Sequence, residues 1–270
     1  MYQGYSTLRV DRSAGVAWLT FDHPPINLLD AAMVAELDRV GQELDADDAV
    51  RVVVLKSAVP GFFIAHADVE MILAAVEVPE VAKQVLEAFH AAVDRFRTMR
   101  KVTIAQIEGR CRGGGSELAL ACDMRFAAKE TALLAQPEVA IGIIPGGGGS
   151  ARLPRLIGRG KALEIILGCA DFDADLAERY GYVNRSIPGE AIGGFVDRLA
   201  ARIAGYPAEA IAMAKSAVAA QDGDLEQGLA EEREWFLRAA SSETAQQRMR
   251  SALEAGLQTV AGETAEWERA

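Results

Sequence analysis

Cysteine and histidine are scarce in this chain, with three of each among 270 residues. Cys111, Cys122 and Cys169 are widely spaced and follow no pattern, so the sequence predicts neither a disulfide framework nor a zinc site. Three scattered histidines offer too few ligands for a metal-dependent mechanism. We therefore expect a protein with no metal and with reduced thiols, as in the cytoplasm.

Long hydrophobic runs and an excess of positive charge are also missing. The longest uncharged apolar stretch, residues 139–151, is too short to cross a bilayer and is interrupted by Pro145 and by the run Gly146–Gly149. The first residues lack the apolar core of a signal peptide. A net charge of −11 argues against nucleic acid, because phosphate binding needs a basic surface. The sequence thus predicts a soluble cytoplasmic protein that binds neither nucleic acid nor membranes.

Half of the residues are apolar and a quarter are charged, which is typical of a globular protein. Up to Pro188, strand-like apolar runs alternate with glycine loops and with helical patterns that begin after Asp30 and cover residues 81–99 and 116–122. Strands are predicted at residues 7–10, 16–21, 51–56, 102–107, 125–128 and 132–134. Only helical patterns follow, near residues 192–203, 208–220, 225–239 and 243–257. We predict an α/β core (1–195) and a helical region (196–270).

The first of two glycine clusters, GRCRGGGSELALACD, covers residues 109–123. Three consecutive glycines between a predicted strand and a predicted helix allow positive φ and let a ligand approach the backbone N–H groups. The positive end of the helix dipole lies at the same place, so the turn suits an anion or a carbonyl oxygen that becomes an oxyanion. Glu117 follows in the first helical turn, where an acid that merely caps the helix is an equally simple interpretation.

The second cluster, QPEVAIGIIPGGGGSARLPRLIG, covers residues 136–158. Glu138 follows a proline and precedes an apolar run, so its carboxyl either is buried against apolar surface, which raises a pKa, or is solvated like most loop acids. With Glu117 it forms a candidate pair, one acid ionised as a base and the other protonated as an acid. Nothing in the spacing of the chain requires the two to meet.

Two other catalytic interpretations of these clusters are weaker. The segment Gly146–Ala151 fits the loose dinucleotide pattern G-x-G-x-x-A, with Glu164 near the distance expected of a ribose-binding acid. Pro145 and the lack of a clear second strand oppose that interpretation. Ser116 lacks the G-x-S-x-G context of a nucleophile, and no histidine is spaced to serve as its base, so a helix-start serine is preferred.

Three motifs in a fixed order point to a known family. They are FFIAHADVEM (residues 62–71), IEGRCRGGGSELALACDMRFAA (107–128) and the second glycine cluster. Together they resemble the enoyl-CoA hydratase/isomerase (crotonase) superfamily, and the match covers nearly all of residues 5–190. The resemblance implies an α/β fold, a crotonase-type spiral of ββα units with an α-helical C-terminal trimerisation region. A homotrimer, or a hexamer that is a dimer of trimers, is the implied assembly.

The resemblance also implies a substrate and a mechanism. The family binds acyl-CoA thioesters, so coenzyme A belongs to the substrate and no separate cofactor is expected. Two backbone N–H groups, which map to Ala67 and Gly114, would stabilise an enolate-like oxyanion. Glu117 would orient and deprotonate water for attack at C3, and Glu138 would protonate C2.

The presence of both acids favours an enoyl-CoA hydratase, a lyase that adds water across the 2,3 double bond. Isomerisation remains an alternative, because one acid can shuttle the proton in the same geometry. Decarboxylation and thioester hydrolysis are further reactions expected of this fold. A non-catalytic acyl-CoA-binding protein is the alternative from another class, and retention of Glu117, Glu138 and both glycine turns argues against it.

The loop at residues 65–68 departs from the family, which commonly has A-G-A-D where this chain has Ala65-His66-Ala67-Asp68. Glycine is favoured at the second position because it allows unusual backbone angles, which histidine tolerates less well. His66 could add a proton donor or a coenzyme A contact near the thioester. The preferred interpretation is that its side chain turns away and the loop is unchanged.

Substrate contacts beyond the reacting atoms are also implied by the resemblance. Cationic partners for the coenzyme A phosphates are few in an acidic chain, and Lys56 and Arg112 are candidates that could equally be solvated surface charges. The residues expected to bind substrate are Ala65, His66, Asp68, Val69 and Gly113. In the helical region, apolar side chains at helical spacing predict core or subunit contacts: Leu229, Trp235, Phe236, Met249 and Leu253.

Overall fold

The computed structural model describes residues 2–219 and 225–264, whose strands form two sheets. The strands are β1 (Leu8–Ser13), β2 (Val16–Phe21), β3 (Val52–Ser57), β4 (Phe62–Ile64), β5 (Val102–Ile107), β6 (Arg110–Arg112), β7 (Met124–Ala128), β8 (Leu133–Ala135), β9 (Phe172–Asp173) and β10 (Arg185–Ile187). One sheet has the order β1-β2-β3-β5-β7-β10, and the other has the order β4-β6-β8-β9.

Most helices follow a strand of the smaller sheet or lie in the C-terminal third. They are α1 (Ala31–Ala46), α2 (Val69–Val76), α3 (Pro79–Thr98), α4 (Gly114–Ala121), α5 (Gly149–Ile157), α6 (Arg159–Gly168), α7 (Ala174–Tyr180), α8 (Gly189–Ala204), α9 (Ala208–Ala219), α10 (Leu225–Ala240), α11 (Glu243–Glu254) and α12 (Val260–Thr264). A 3-10 turn covers Glu138–Ile141. As predicted, Asp30 caps α1, its carboxylate accepting the Met33 N–H at 2.8 Å.

Successive segments of the chain add strands to the two sheets in turn. In three successive units, β3 with β4, β5 with β6 and β7 with β8, the first strand joins the larger sheet and the second joins the smaller one. Neighbouring units pair in parallel in both sheets, β3 with β5 and β5 with β7, β4 with β6 and β6 with β8. Each unit then continues into a helix or a helical turn. This repetition confirms the predicted spiral of ββα units.

Strand β3 shows how the larger sheet separates two cores. Its side chains alternate, so Val53 and Leu55 belong to the core that contains α1, α3 and α4, and Val52 and Val54 belong to the core beneath α8. All four are fully buried. A run of apolar residues without polar alternation, as at 52–55, is expected of a parallel strand covered on both faces.

The structure corrects several boundaries of the sequence prediction. Helix α2 is not among the predicted helices; its segment has only eight, mostly apolar residues. Helix α4 begins at Gly114, two residues before the predicted Ser116. The strands of the smaller sheet have two or three residues each, which is too short for an alternating pattern, and β4, β6 and β9 were not predicted.

The C-terminal third is helical, as the sequence predicts, with four longer helices followed by α12. Position 195 lies inside α8, which packs against the larger sheet, and the division of the chain at that point stays a prediction. The predicted end of α9 at Ala220 and the side chain of Trp235 lie outside the described residues. Over the described ranges, no helix has both the length and the hydrophobicity needed to cross a membrane.

Candidate active site

A cavity of about 360 Å³ lies where the spiral meets the C-terminal helices. The loop before α2, the start of α4, the 3-10 turn and the glycine loop before α5 all contribute to its wall. Seven predicted site residues line it together: His66, Ala67, Val69, Gly113, Gly114, Glu117 and Glu138. Apolar side chains supply most of the remaining wall, including Leu86 and Phe89 from α3 and Phe236 and Leu257 from the C-terminal region. The cavity therefore combines two carboxyls with an apolar lining.

The backbone at Ala67 is held by Leu29. The Leu29 N–H donates to the His66 carbonyl at 2.9 Å, and the Asp68 N–H donates to the Leu29 carbonyl at 3.0 Å, forming a parallel bridge. Ala67 also lies close to Gly114, where an added Cβ would be 3.4 Å from the Ala67 Cβ. Among the described residues, neither the Ala67 N–H nor the Gly114 N–H donates to a protein acceptor. Two neighbouring donors at the cavity thus remain available to a ligand.

The three glycines at the start of α4 are required by close contacts. Gly113 has a φ of +49°, and a Cβ there would lie 3.0 Å from Glu138 Oε1 and 3.4 Å from the His66 Cβ. A Cβ on Gly115 would lie 2.6 Å from the Ile64 Cβ. Gly113 donates its N–H to the Ala135 carbonyl at 3.1 Å, which anchors the turn to β8. The turn therefore packs tightly between β4 and the 3-10 turn that carries Glu138.

Glu117 is buried at the first turn of α4 with its two carboxyl oxygens in different surroundings. Its Oε1 accepts the backbone N–H groups of Gly147 at 2.7 Å and Gly149 at 2.9 Å. No described group hydrogen-bonds its Oε2. Burial raises the pKa of Glu117, although the two N–H donors and the charge of Arg152 oppose the shift. Oε2 is consequently the oxygen that can exchange a proton with a molecule in the cavity.

The second glycine cluster holds the Glu117 carboxyl in place. Besides the two N–H groups given to that carboxyl, the Gly146 carbonyl contacts His90 Nε2 at 2.5 Å and the Gly147 carbonyl accepts from Arg152 at 2.9 Å. Burial lowers the pKa of His90 to about 4, so its imidazole is neutral and donates to Gly146. Because protein groups occupy this loop, its geometry argues against the dinucleotide interpretation.

Replacing Gly147 by alanine is expected to damage both the fold and the cavity. A Cβ at this position would lie 2.2 Å from Phe89 Cε1 and 2.5 Å from Glu117 Oε2. Relieving such overpacking costs about 1–3 kcal/mol of the free energy of unfolding, which urea titration measures. The control is Gly160→Ala, because nothing lies within 4 Å of that position. Equal stability of the two variants would contradict the proposed crowding.

Glu138 ends a buried hydrogen-bonded chain that sequence reasoning missed. With its amide nitrogen toward the carboxyl, Gln136 donates to both Glu138 oxygens at 3.0 and 3.1 Å and accepts from Ser116 Oγ at 3.0 Å. Ser116 Oγ also contacts the hydroxyl of Tyr182, and burial raises the pKa of that phenol. Ser116 is thus a structural hydrogen-bonding group and not a nucleophile, in agreement with the sequence. No periodicity marks Gln136, and Tyr182 lies far away in the chain.

A sequence profile described as enoyl-CoA hydratase/isomerase matches residues 11–260, nearly the whole chain. The chain belongs to the enoyl-CoA hydratase/isomerase family. This finding and the spiral fold confirm the resemblance stated from the three motifs. Within the described part of this family member, no cluster of three or more His, Cys, Asp or Glu side chains could hold a metal ion.

Individual proteins resemble this family member over most of its length. A Mycobacterium bovis protein named a probable enoyl-CoA hydratase is 34% identical over 254 residues, which cover 93% of this chain and 96% of that protein. A crystal structure from Streptomyces avermitilis, provisionally assigned as an enoyl-CoA hydratase, matches with a TM-score of 0.89 at 40% identity and covers 97% of this chain and 96% of that one. A fatty acid oxidation complex subunit alpha of Shewanella amazonensis is 38% identical over 180 residues, 66% of this chain and 25% of that subunit.

Only some of the residues that the family resemblance implied as substrate contacts line the cavity. Val69 lines the cavity with His66 and Gly113. Ala65 does not, because it is fully buried and packs with Ile26 beneath the loop. Asp68 is also placed elsewhere: it caps α2 by accepting the Glu70 N–H at 2.8 Å. Neither Ala65 nor Asp68 is among the cavity residues, and a contact of either with substrate stays a prediction.

The structure also places His66 and Arg112. His66 is absent from the positive-φ residues, so the loop does not need glycine at that position. The residue belongs to the cavity wall, but both of its ring nitrogens contact protein acceptors, and its role toward substrate stays a prediction. Arg112 is fully buried, with its guanidinium donating to Asp171 at 2.7 Å and to the Glu263 carbonyl at 3.0 Å. The interpretation of Arg112 as a phosphate ligand or a solvated charge is wrong, because the fold encloses it. Lys56 lies half-buried in β3, and its phosphate role stays a prediction.

Proposed function

We propose that the protein is an enoyl-CoA hydratase, which adds water across the 2,3 double bond of a 2-enoyl-CoA thioester. One observation carries the proposal: a single apolar cavity holds two buried acids, Glu117 and Glu138, together with two neighbouring N–H groups that have no acceptor among the described residues. Such a combination suits a reaction in which a proton moves at each of two carbons while an oxyanion forms. Coenzyme A is part of the substrate, so no separate cofactor is required.

The Ala67 and Gly114 N–H groups would bind the thioester oxygen. As water adds at C3, negative charge develops on that oxygen, and prearranged donors stabilise it more in the transition state than in the substrate. Each such donor contributes about 3 kcal/mol to the stabilisation of the transition state. The dipole of α4, which begins at Gly114, acts in the same direction.

The two acids divide the proton transfers. Glu117 Oε2 would accept a proton from the water that attacks C3, and a raised pKa makes this carboxylate a stronger base near neutral pH. Glu138 would give its proton to C2. The carboxylate left on Glu138 would then be stabilised by the amide of Gln136, which lies 3.0 and 3.1 Å from its oxygens. After product release, proton exchange with water restores both acids.

The test is incubation with short, medium-chain and aromatic 2-enoyl-CoAs. We expect loss of the conjugated-thioester absorbance and a product heavier by one water. Matched 3-enoyl-CoAs test the isomerase alternative, since conversion to the 2-enoyl isomer needs only one proton-shuttling acid. Binding without water addition would contradict the hydratase proposal and favour isomerisation, decarboxylation, thioester hydrolysis or a non-catalytic role.

The apolar wall and the similarity to a fatty acid oxidation subunit support an apolar acyl group in the substrate.

We also propose that the protein forms a homotrimer or a hexamer in the cytoplasm. Three exposed leucines on the adjacent helices α5 and α6 support a contact between subunits: Leu156, Leu163 and Leu167. Light scattering at several protein concentrations tests the assembly, and a monomer of 28.8 kDa at all of them would contradict it.

A further inference from the structure

A buried contact joins the loop between β4 and α2 to the C-terminal end of the described chain. His66 is 6% exposed and Glu263, in α12, is fully buried. The His66 Nε2 contacts Glu263 Oε1, and its Nδ1 lies 2.8 Å from the Ala67 carbonyl. Both ring nitrogens are therefore used by protein acceptors, so His66 lies at the cavity without a nitrogen available to substrate.

Both ring nitrogens of His66 lie against groups that accept hydrogen bonds. The Ala67 carbonyl can only accept, so Nδ1 carries a hydrogen. Glu263 also acts as an acceptor, because its Oε1 accepts the Gln258 N–H at 2.8 Å and its Oε2 lies 3.4 Å from Arg112. Although burial alone raises the pKa of Glu263, the hydrogen bonds from His66 and Gln258 and the charge of Arg112 lower it. The contact between His66 and Glu263 is therefore a buried hydrogen bond to a carboxyl that is held by several donors.

Further charged groups surround this contact. Arg112 pairs with Asp171 on one side and approaches Glu263 on the other, and both contacts are largely shielded from water. The charge of Arg110 also acts on Asp171 and on Glu263. Glu263 is therefore a buried carboxyl held among cationic and hydrogen-bond-donating groups.

The C-terminal segment contacts the loop at two further residues. The Gln258 side chain accepts the Val69 N–H at 3.0 Å and donates to Asp68 Oδ1 at 2.7 Å. Residues 258–263 thus contact His66, Asp68 and Val69, which surround Ala67. The neighbouring Leu257 is part of the cavity wall. The loop that carries the proposed oxyanion donor is therefore braced by the C-terminal segment on one side and by Leu29 on the other.

We propose that His66 and Glu263 are positioning residues that aim the Ala67 N–H at the thioester oxygen. In this arrangement the oxyanion hole is complete only when the segment 258–263 is seated on the loop 66–69. The inference rests on the proposed binding of an acyl-CoA thioester, and it names a device by which the C-terminal segment controls that site. Neither residue transfers a proton to substrate, because both are occupied by protein partners.

The decisive variant is Glu263→Gln, which preserves shape and removes the charge. Complete loss of an oxyanion donor costs about 100- to 1000-fold in kcat. A misdirected donor loses part of that, so we expect kcat to fall about tenfold or more while KM changes less than about threefold. Val260→Ala is the control, because Val260 lies on the same short helix but is 45% exposed. The kcat and KM of this control should match those of the unmodified protein.

A spectroscopic readout separates positioning from general stability. The absorbance of a bound aromatic 2-enoyl-CoA, such as cinnamoyl-CoA, shifts to longer wavelength when its thioester oxygen accepts strong hydrogen bonds. We expect this shift to shrink in Glu263→Gln and in His66→Gln. The double variant should lose no more kcat than the worse single variant, because both substitutions break one interaction.

Unchanged kcat and an unchanged spectral shift, with only a lower Tm, would overturn the inference and leave the pair a structural contact. If Glu263→Gln does not fold, the same measurements are made on His66→Gln. Full activity of that variant would also overturn the inference. A spectral shift without hydration in the unmodified protein would refute the hydratase proposal alone. Absence of any shift in the unmodified protein would overturn the inference, because no thioester oxygen would then be polarised at Ala67.

Discussion

Replacing Glu138 by glutamine is expected to lower kcat for 2-enoyl-CoA hydration by about 1000-fold, within the range of general acid catalysis. The glutamine retains the volume of the buried side chain and can still accept a hydrogen bond from Gln136, so the cavity should keep its shape. It has no acidic proton to give to C2. The affinity for a saturated acyl-CoA, measured by calorimetry, should therefore change by less than about threefold.

The control for this result is Glu164→Gln. Glu164 is exposed, accepts the Tyr180 hydroxyl at 2.8 Å and lies outside the cavity wall. It is also the acid that the dinucleotide interpretation would place on a ribose, so unchanged kinetics here also argue against that alternative. Equal losses of affinity and turnover in Glu138→Gln would instead assign Glu138 a structural role.

Replacing Glu117 by glutamine is expected to lower hydration to a similar degree, by about 1000-fold. The amide oxygen of a glutamine can take the place of Oε1 and accept from Gly147 and Gly149. Its NH₂ group would then occupy the place of Oε2 and could not take a proton from water. Turnover is measured by the same absorbance assay, and hydration at more than a tenth of the normal rate would contradict the role of base.

Glu117→Gln is also expected to change how the stability of the protein depends on pH. Because burial raises the folded-state pKa of Glu117 above its ordinary value of 4.5, the protonated form is the one the fold favours. Its contribution to stability is present below about pH 4.5 and is lost as pH rises through the folded pKa. Relative to the unmodified protein, Glu117→Gln should therefore become more stable as pH rises above about 4.5, by urea unfolding. A pH-independent difference would contradict this.

Comparing the two variants also separates hydration from isomerisation. Hydration needs both a base for water and an acid for C2, whereas isomerisation can proceed with one acid that shuttles a proton. If Glu117→Gln abolishes hydration and retains conversion of a 3-enoyl-CoA, Glu138 is the shuttle. If hydration persists in one variant and disappears in the other, the division of labour proposed for the two acids is wrong.

The long strands and helices were predictable because their patterns are local. Strands β2 and β5 have the predicted bounds, Val16–Phe21 and Val102–Ile107, since both are short runs of mostly apolar residues. Helix α1 follows its predicted cap at Asp30. The strands of the smaller sheet were hard to predict because they are held by pairing with residues distant in the chain. Helix α2 was also missed, because eight mostly apolar residues give only a weak helical pattern.

In the candidate site, too, some residues are identified by local patterns and others only by contacts with distant residues. Glycine runs and acids within one or two turns of them are local signals, so Gly113, Gly114, Glu117 and Glu138 could be identified from the chain alone. Gln136 could not, because an amide becomes functional only through the carboxyl it meets. The role of His66 depends on Glu263, which is 197 residues away. Asp68 caps a helix, and the substrate contact implied for it stays a prediction.

The sequence by itself determined the family, the spiral α/β architecture and the residues that could carry the chemistry. Tertiary structure alone decided which of those residues share a cavity, that Arg112 is enclosed and that the C-terminal segment braces the loop at Ala67. The physical reason is that composition and spacing specify the groups along the chain, while burial and contacts between distant segments specify their environment. A carboxyl such as Glu117 acquires a raised pKa, and an oxygen that no described group hydrogen-bonds, only when the glycine loop folds around it.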